Sequence, residues 1–263
     1  MTLLEGILLG IVQGLTEFIP VSSSGHLVIA EHFLHISSVP VFSALVNLGT
    51  FLALLIFFRK RIMGILQRML EQKDYRLARN ILISAVPVGI LGFFFGEVFE
   101  QAIIQNPITV VIMLVLFGVV MIALESLPRL QPIATADNLT TKKAGVIGFA
   151  QALALIPGTS RSASTMIAGR FMGLTYQQAA EYSFLLSIPV MAGVLLKSMT
   201  SQEGMAFIQN NFATWLASNV AAFACGLLAV GFMMRFLAKG NFKVFGYYRI
   251  GLAAIIIILL ITL

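Results

Sequence analysis

The chemistry of this chain is concentrated in two short stretches, the first being Gln13-Gly14-Leu15-Thr16-Glu17-Phe18-Ile19-Pro20-Val21-Ser22-Ser23-Ser24-Gly25-His26. Gln13 and Glu17 are four apart and share one helical face. A carboxylate inside apolar sequence is expensive and marks a functional candidate. Glu17 could hold a divalent cation through hard oxygen ligands, with Gln13 adding a neutral oxygen, or it could be a helix-end acid wetted at an interface. His26 opens another apolar helix and titrates near neutrality, which suits proton transfer or attack on phosphorus. His32 and His35, in the connection from Glu31 to Pro40, read as interfacial bystanders.

The second stretch is Pro157-Gly158-Thr159-Ser160-Arg161-Ser162, followed by Thr165. It sets a guanidinium and flanking hydroxyls at or near a helix start. Free backbone N–H groups there favour phosphate, and Arg161 offers a planar fork for two of its oxygens. Arg161 could instead pair with Glu181. Acid, amide, hydroxyls and imidazole from one stretch and a cation with hydroxyls from the other are the parts for metal-assisted phosphoryl transfer. The sequence contains no Gly-x-x-x-x-Gly-Lys-Ser/Thr nucleotide loop and no zinc-spaced cluster of His and Cys.

What must position these groups is a membrane bundle. Of the 263 residues, 59% are hydrophobic and 11% charged, with mean hydropathy +0.95, far from the usage of soluble domains. Apolar runs near 41–58, 80–99, 106–126, 183–200, 213–235 and 245–263 are each long enough to cross about 30 Å of hydrocarbon. The apolar stretches 5–30 and 146–172 are broken by the two motifs. Non-helical backbone at membrane depth needs protein or water around it, so both read as re-entrant helix-loop-helix hairpins rather than kinked spans. The expected fold is therefore an all-α integral membrane protein: six transmembrane helices plus two re-entrant hairpins in a single domain, 1–263, with no appended soluble domain. The start of the chain lacks a basic region and cleavage site, so its first apolar segment is expected to remain in the mature protein. Cys225 is alone and reads as a packing residue.

The linker 59–79 carries Arg59, Lys60, Arg61, Arg68, Lys73, Arg76 and Arg79 against Glu71 and Asp74, and is expected in the cytoplasm. Alternation then places both termini outside, with only Lys197 on the wrong side, and gives the hairpins opposite senses. The net charge of +6 is spread between apolar segments rather than on a soluble stripe, so no nucleic-acid partner is expected. Gln13 to Ser24 parallels Gln151 to Ser162, and Ser84-Ala85-Val86-Pro87-Val88-Gly89 is like Ser187-Ile188-Pro189-Val190. These likenesses suggest an inverted-topology repeat, with halves 1–135 and 136–263. That architecture is also used by secondary transporters, so a carrier or flippase of a phospholipid is the alternative to an enzyme.

The two motifs, in this order, and Ala180-Glu181-Tyr182-Ser183-Phe184-Leu185-Leu186 resemble the bacterial undecaprenyl-diphosphate phosphatases of the bacitracin-resistance type over nearly the whole chain. The resemblance implies hydrolysis of undecaprenyl diphosphate to the monophosphate and inorganic phosphate, recycling the lipid carrier for cell-wall synthesis. It also implies a divalent cation, Mg2+ or Ca2+, a site opening to the outer face of the cell membrane, and bacitracin resistance. The family's first motif begins with Glu or Gln, so Gln13 is a permitted variant that leaves Glu17 as the one carboxylate there. Carried onto this chain, Glu17, His26, Ser23 and Arg161 are the catalytic candidates, Glu17 also holding the metal. Gln13, Ser22, Ser24, Ser160, Ser162 and Thr165 line the substrate. His26 is expected as nucleophile or proton-transfer group, with Ser23 as the competing nucleophile; whether His26, Ser23 or water attacks is open, as is the oligomeric state, a homodimer included.

Overall fold

The computed structural model describes residues 1–36, 40–103, 107–126 and 135–262, and all regular structure among them is helical. The order is α1 (Leu3–Thr16), α2 (Ser23–Phe33), α3 (Pro40–Leu45), α4 (Asn47–Phe57), α5 (Arg59–Glu71), α6 (Arg76–Ile103), α7 (Pro107–Leu124), α8 (Thr141–Ala152), α9 (Arg161–Phe171), α10 (Tyr176–Thr200), α11 (Gln202–Asn210), α12 (Phe212–Ala238) and α13 (Lys243–Thr262). By length and apolarity, four described helices can cross a membrane: α6, α10, α12 and α13. The span expected at 41–58 is broken between α3 and α4, and with α5 forms a pair bent by 65°. The run expected at 106–126 is the shorter helix α7.

Caps start the helices where the sequence allows. Thr2 and Glu5 close a capping box on α1, Glu5 Oε2 accepting from the Thr2 N–H at 2.7 Å, and Thr175 and Gln178 do the same on α10. α1 stops just before Pro20 and α8 before Pro157, so both motif stretches are broken helices, with α2 and α9 as the second arms.

α1 packs along α12, α8 along α6, and α7 along α13. The first contact is unusually close. A Cβ at Gly10 or Gly14 would lie 2.2 or 2.6 Å from the backbone of Ser218 or Ala222, so only glycine fits there, and one at Gly6 would lie 2.4 Å from the Thr214 methyl, which would have to turn away. Cys225 packs against Gly14 in the same seam, as a packing residue does. α10 is the central span, 56% of its apolar window being buried against 17–33% for the other three. Its Phe184 meets Phe18 edge-on at 5.5 Å and Phe58 at 6.1 Å, backing the first motif with core.

The basic linker 59–79 is not a loop. Residues 59–71 form α5, and α6 begins at Arg76. Alternating basic and apolar residues give α5 two faces: Met63, Leu66 and Leu70 are exposed, while Arg61 and Arg68 turn inward. Arg61 bonds Glu181 at 2.7 Å and Asp137 at 2.9 Å, and Arg68 reaches Asp137 at 3.0 Å. Burial pushes the Asp137 carboxyl up, but the Arg68 and Arg61 guanidiniums outweigh it and hold it below the usual carboxylate range. Periodicity was hidden here because charge density alone reads as loop.

Candidate active site

Glu17 caps the C-terminus of α1, where its N–H still bonds the Gln13 carbonyl. Its two oxygens gather both motifs. Oε1 accepts from Arg161 Nη2 at 2.7 Å, and Oε2 accepts from Ser23 Oγ at 2.8 Å and Gln13 Nε2 at 2.9 Å. The Glu17 and Arg161 side chains are 13% and 15% exposed, so the pair is sheltered but reachable. The other candidate partner for Arg161, Glu181, is taken by Arg61.

Both second arms begin alike. Ser22, at φ 74°, caps α2 by accepting from the Gly25 N–H; Ser160, at φ 69°, caps α9 by accepting from the Ala163 N–H. A left-handed φ is costly for serine, and the cap bonds offset part of that cost. Ser22 and Ser24 hydroxyls lie 3.1 Å apart, and so do those of Ser160 and Ser162. Ser23 and Arg161, each the first residue of its helix, thereby meet on one carboxylate. Each helix start leaves N–H groups that favour an anion.

Not every sequence candidate has a free polar group. Thr165 Oγ1 donates to the Arg161 carbonyl at 2.8 Å and shares a 2.6 Å bond with Ser183. Ser162 Oγ donates to the Ile19 carbonyl at 3.4 Å, joining the two loops. Buried Gln13 also donates to Asn47 Oδ1 at 2.8 Å. Ser24 is exposed and Ser160 partly so. His26 Nδ1 lies 2.8 Å from the Ser22 carbonyl and Nε2 2.7 Å from the Tyr248 hydroxyl. His32 instead lies against Phe33.

Three residues of the site were not singled out from sequence: Asn47, Tyr248 and Arg249. Arg249, fully buried on α13, donates to the carbonyls of Pro20 at 3.3 Å, Gly158 at 2.6 Å and Thr159 at 3.1 Å, and to Met113 and Leu114 of α7. One guanidinium thus ties both motif loops to the α7–α13 pair. Gly158 permits this packing: at φ 89° it touches α7, and a Cβ there would lie 2.6 Å from the Val110 carbonyl oxygen. The signal was present, since an arginine within the apolar run 245–263 is itself a functional pointer. Arg249→Met keeps the bulk but leaves the loop carbonyls unsatisfied. It is expected to cost about 3 kcal/mol or more, seen as a lower unfolding temperature in detergent. An unchanged temperature would contradict the strut.

Four helices able to cross a membrane, and two broken helices whose Ser23 and Arg161 side chains meet on the sheltered Glu17 carboxylate, define a multi-pass helical membrane protein. The chain belongs to the bacitracin resistance protein BacA family, whose family model matches residues 6–255. It is 35% identical to an undecaprenyl-diphosphatase of Nitrosomonas europaea over 258 residues, covering 97% of this chain and 94% of that one. It is 36% identical to one of Rubrobacter xylanophilus over 279 residues, with 98% of each chain covered, and 34% identical to one of Acetivibrio thermocellus over 265 residues, with 97% of each.

Proposed function

We propose that this chain hydrolyses undecaprenyl diphosphate to undecaprenyl phosphate and inorganic phosphate, returning the lipid carrier to cell-wall synthesis and conferring bacitracin resistance. The observation that carries the chemistry is Glu17 bound at once by the Ser23 hydroxyl and the Arg161 guanidinium. A hydroxyl on a carboxylate is a nucleophile beside its base. Ser23 Oγ attacks the terminal phosphorus, its proton passes to Glu17, and the anhydride P–O bond breaks to release the lipid monophosphate. Water then attacks the phosphoserine, giving its proton to His26 Nε2; the P–Oγ bond breaks, Glu17 returns its proton to Ser23 Oγ, and phosphate leaves. Arg161 and the helix N-termini stabilise the charge that builds on the equatorial oxygens. Arg161 holds Glu17 through Nη2 alone, so the remaining N–H groups of its fork are the ones that would face the diphosphate. Gln13, Ser22, Ser162 and Thr165 position these groups, while Ser24 and Ser160, paired with Ser22 and Ser162, are the less buried hydroxyls that face substrate.

The donor set fits a cation shared with the substrate better than an all-protein cage. Among the described residues no three His, Cys, Asp or Glu side chains gather, and Mg2+ is commonly held by one or two carboxylates plus phosphate oxygens. Glu17, with the Gln13 amide oxygen, would hold it. Such an ion would neutralise charge on the transferring phosphoryl group. Phosphate release by purified protein from undecaprenyl diphosphate, abolished by a chelator and restored by Mg2+, is the expected result. Movement of the lipid between leaflets without phosphate release would favour the carrier instead.

The same reading gives six crossings, two re-entrant hairpins of opposite sense, both termini outside and a site open to the outer face. Support comes from order and packing. Each half runs hairpin, span, short helix, span, span, and α1 on α12 mirrors α8 on α6. That order sets α6 opposite α12, so the likeness of Ser84–Gly89 to Ser187–Val190 does not fall on equivalent helices; the halves 1–135 and 136–263 rest on the hairpins. In a Cys225→Ala background, Glu203→Cys is expected to react with an impermeant thiol reagent in intact cells and Gln67→Cys is not. The opposite pattern would invert the orientation.

A further inference from the structure

The Ser22 carbonyl can only accept, so the neutral His26 ring carries its proton on Nδ1, 2.8 Å away. Nε2 is then the lone-pair nitrogen, and the hydroxyl 2.7 Å from it, that of Tyr248, is the donor. The two rings are also stacked, with centroids 5.6 Å apart and planes within 8°, which holds the imidazole plane from its side. Tyr248 is 49% exposed on the membrane-crossing helix α13, so its side chain is not packed into the core. Its backbone cannot wander, because the next residue, Arg249, is buried and bonded to the loop carbonyls of Pro20, Gly158 and Thr159.

We propose that Tyr248 is the positioning residue of His26: it fixes the plane in which Nε2, left unprotonated by the Ser22 contact, waits as the proton acceptor for hydrolytic water. The proposal rests on the phosphatase reading and on His26 taking a proton in it. Tyr248 need not touch substrate to act. A shift of the half-exposed Tyr248 side chain carries its oxygen off the Nε2 lone pair so that water can take its place, while the Ser22 carbonyl keeps the proton on Nδ1.

Tyr248→Phe keeps the ring and removes only the hydroxyl. It is expected to lower kcat about 3- to 10-fold, the worth of one neutral hydrogen bond, with KM for undecaprenyl diphosphate unchanged. In a His26→Ala background the same change is expected to cost nothing further, since both act through one group. Nitrogen-15 NMR of histidine-labelled protein, with the His26 signals assigned by their loss in His26→Ala, is expected to show Nδ1 protonated and Nε2 shifted by Tyr248→Phe. That spectrum decides the matter if His26→Ala turns over too slowly to measure. Wild-type kcat in Tyr248→Phe, a loss that recurs in the double variant, or an Nε2 signal unmoved by the change would each overturn the proposal. Full activity in His26→Ala would remove His26 from the reaction itself, and an absence of phosphate release by the wild-type protein would remove the phosphatase reading; both are separate from a failure of Tyr248 alone.

Discussion

Ser23→Ala is expected to lower phosphate release by roughly four to six orders of magnitude, the scale seen when an attacking side chain is removed. The fold is expected to survive. The cap of α2 is made by Ser22, not Ser23, and Ser23 is only partly buried, its hydroxyl bonded to Glu17. Loss of that bond costs about 1 kcal/mol, too little to unfold a bundle of this size. The measurement is phosphate release at high enzyme concentration over hours, beside the unfolding temperature in detergent. His26→Ala provides the contrast. If Ser23→Ala keeps substantial turnover while His26→Ala has none and a phosphohistidine can be trapped with labelled substrate, the imidazole is the attacking group and the hydroxyl a bystander.

Arg161→Lys is the second large effect, about 100- to 1000-fold in rate, the usual loss for one donor aimed at developing charge. Lysine keeps the charge. It loses the planar fork that lets one side chain face Glu17 and a phosphate oxygen at the same time, and its point charge is more strongly hydrated. Because Arg161 also joins the second motif to the first through a 2.7 Å bond, folding must be checked separately, by unfolding temperature. Near wild-type turnover in a folded Arg161→Lys protein would take the guanidinium out of the mechanism.

The membrane class and the two reactive loops were legible in sequence because both depend on local pattern: apolar runs for the one, and helix-breaking Pro157-Gly158 or Pro20 set among polar groups for the other. That Glu17, Ser23 and Arg161 meet was also within reach, since parallel motifs imply parallel geometry. Less visible was which hydroxyls would be buried. Thr165 and Ser162 carry hydroxyls as Ser160 and Ser24 do, and only packing shows that Ser183 and the Ile19 carbonyl occupy the first two. α5 was hidden by its charge, because counting basic residues discards the spacing that makes Met63, Leu66 and Leu70 one face. Arg249 was discounted for the opposite reason: a single charge did not interrupt an apolar run long enough to span, and its partners are main-chain carbonyls, which no sequence pattern announces.

The close seam between α1 and α12 has a mechanical consequence. Where α1 has Gly6, Gly10 and Gly14, the matched positions of α8 in the proposed repeat are Ala144, Gly148 and Ala152, and only the middle one comes close enough to α6 to exclude a Cβ. The first hairpin is therefore keyed to its neighbour along a whole helix, while the second is keyed at one point of α8 and is pinned instead at its loop, where Gly158 lies on Val110 and Arg249 bonds the Gly158 and Thr159 carbonyls. Glu17 and Ser23 take their place from a seam, and Arg161 takes its place from the pinned loop.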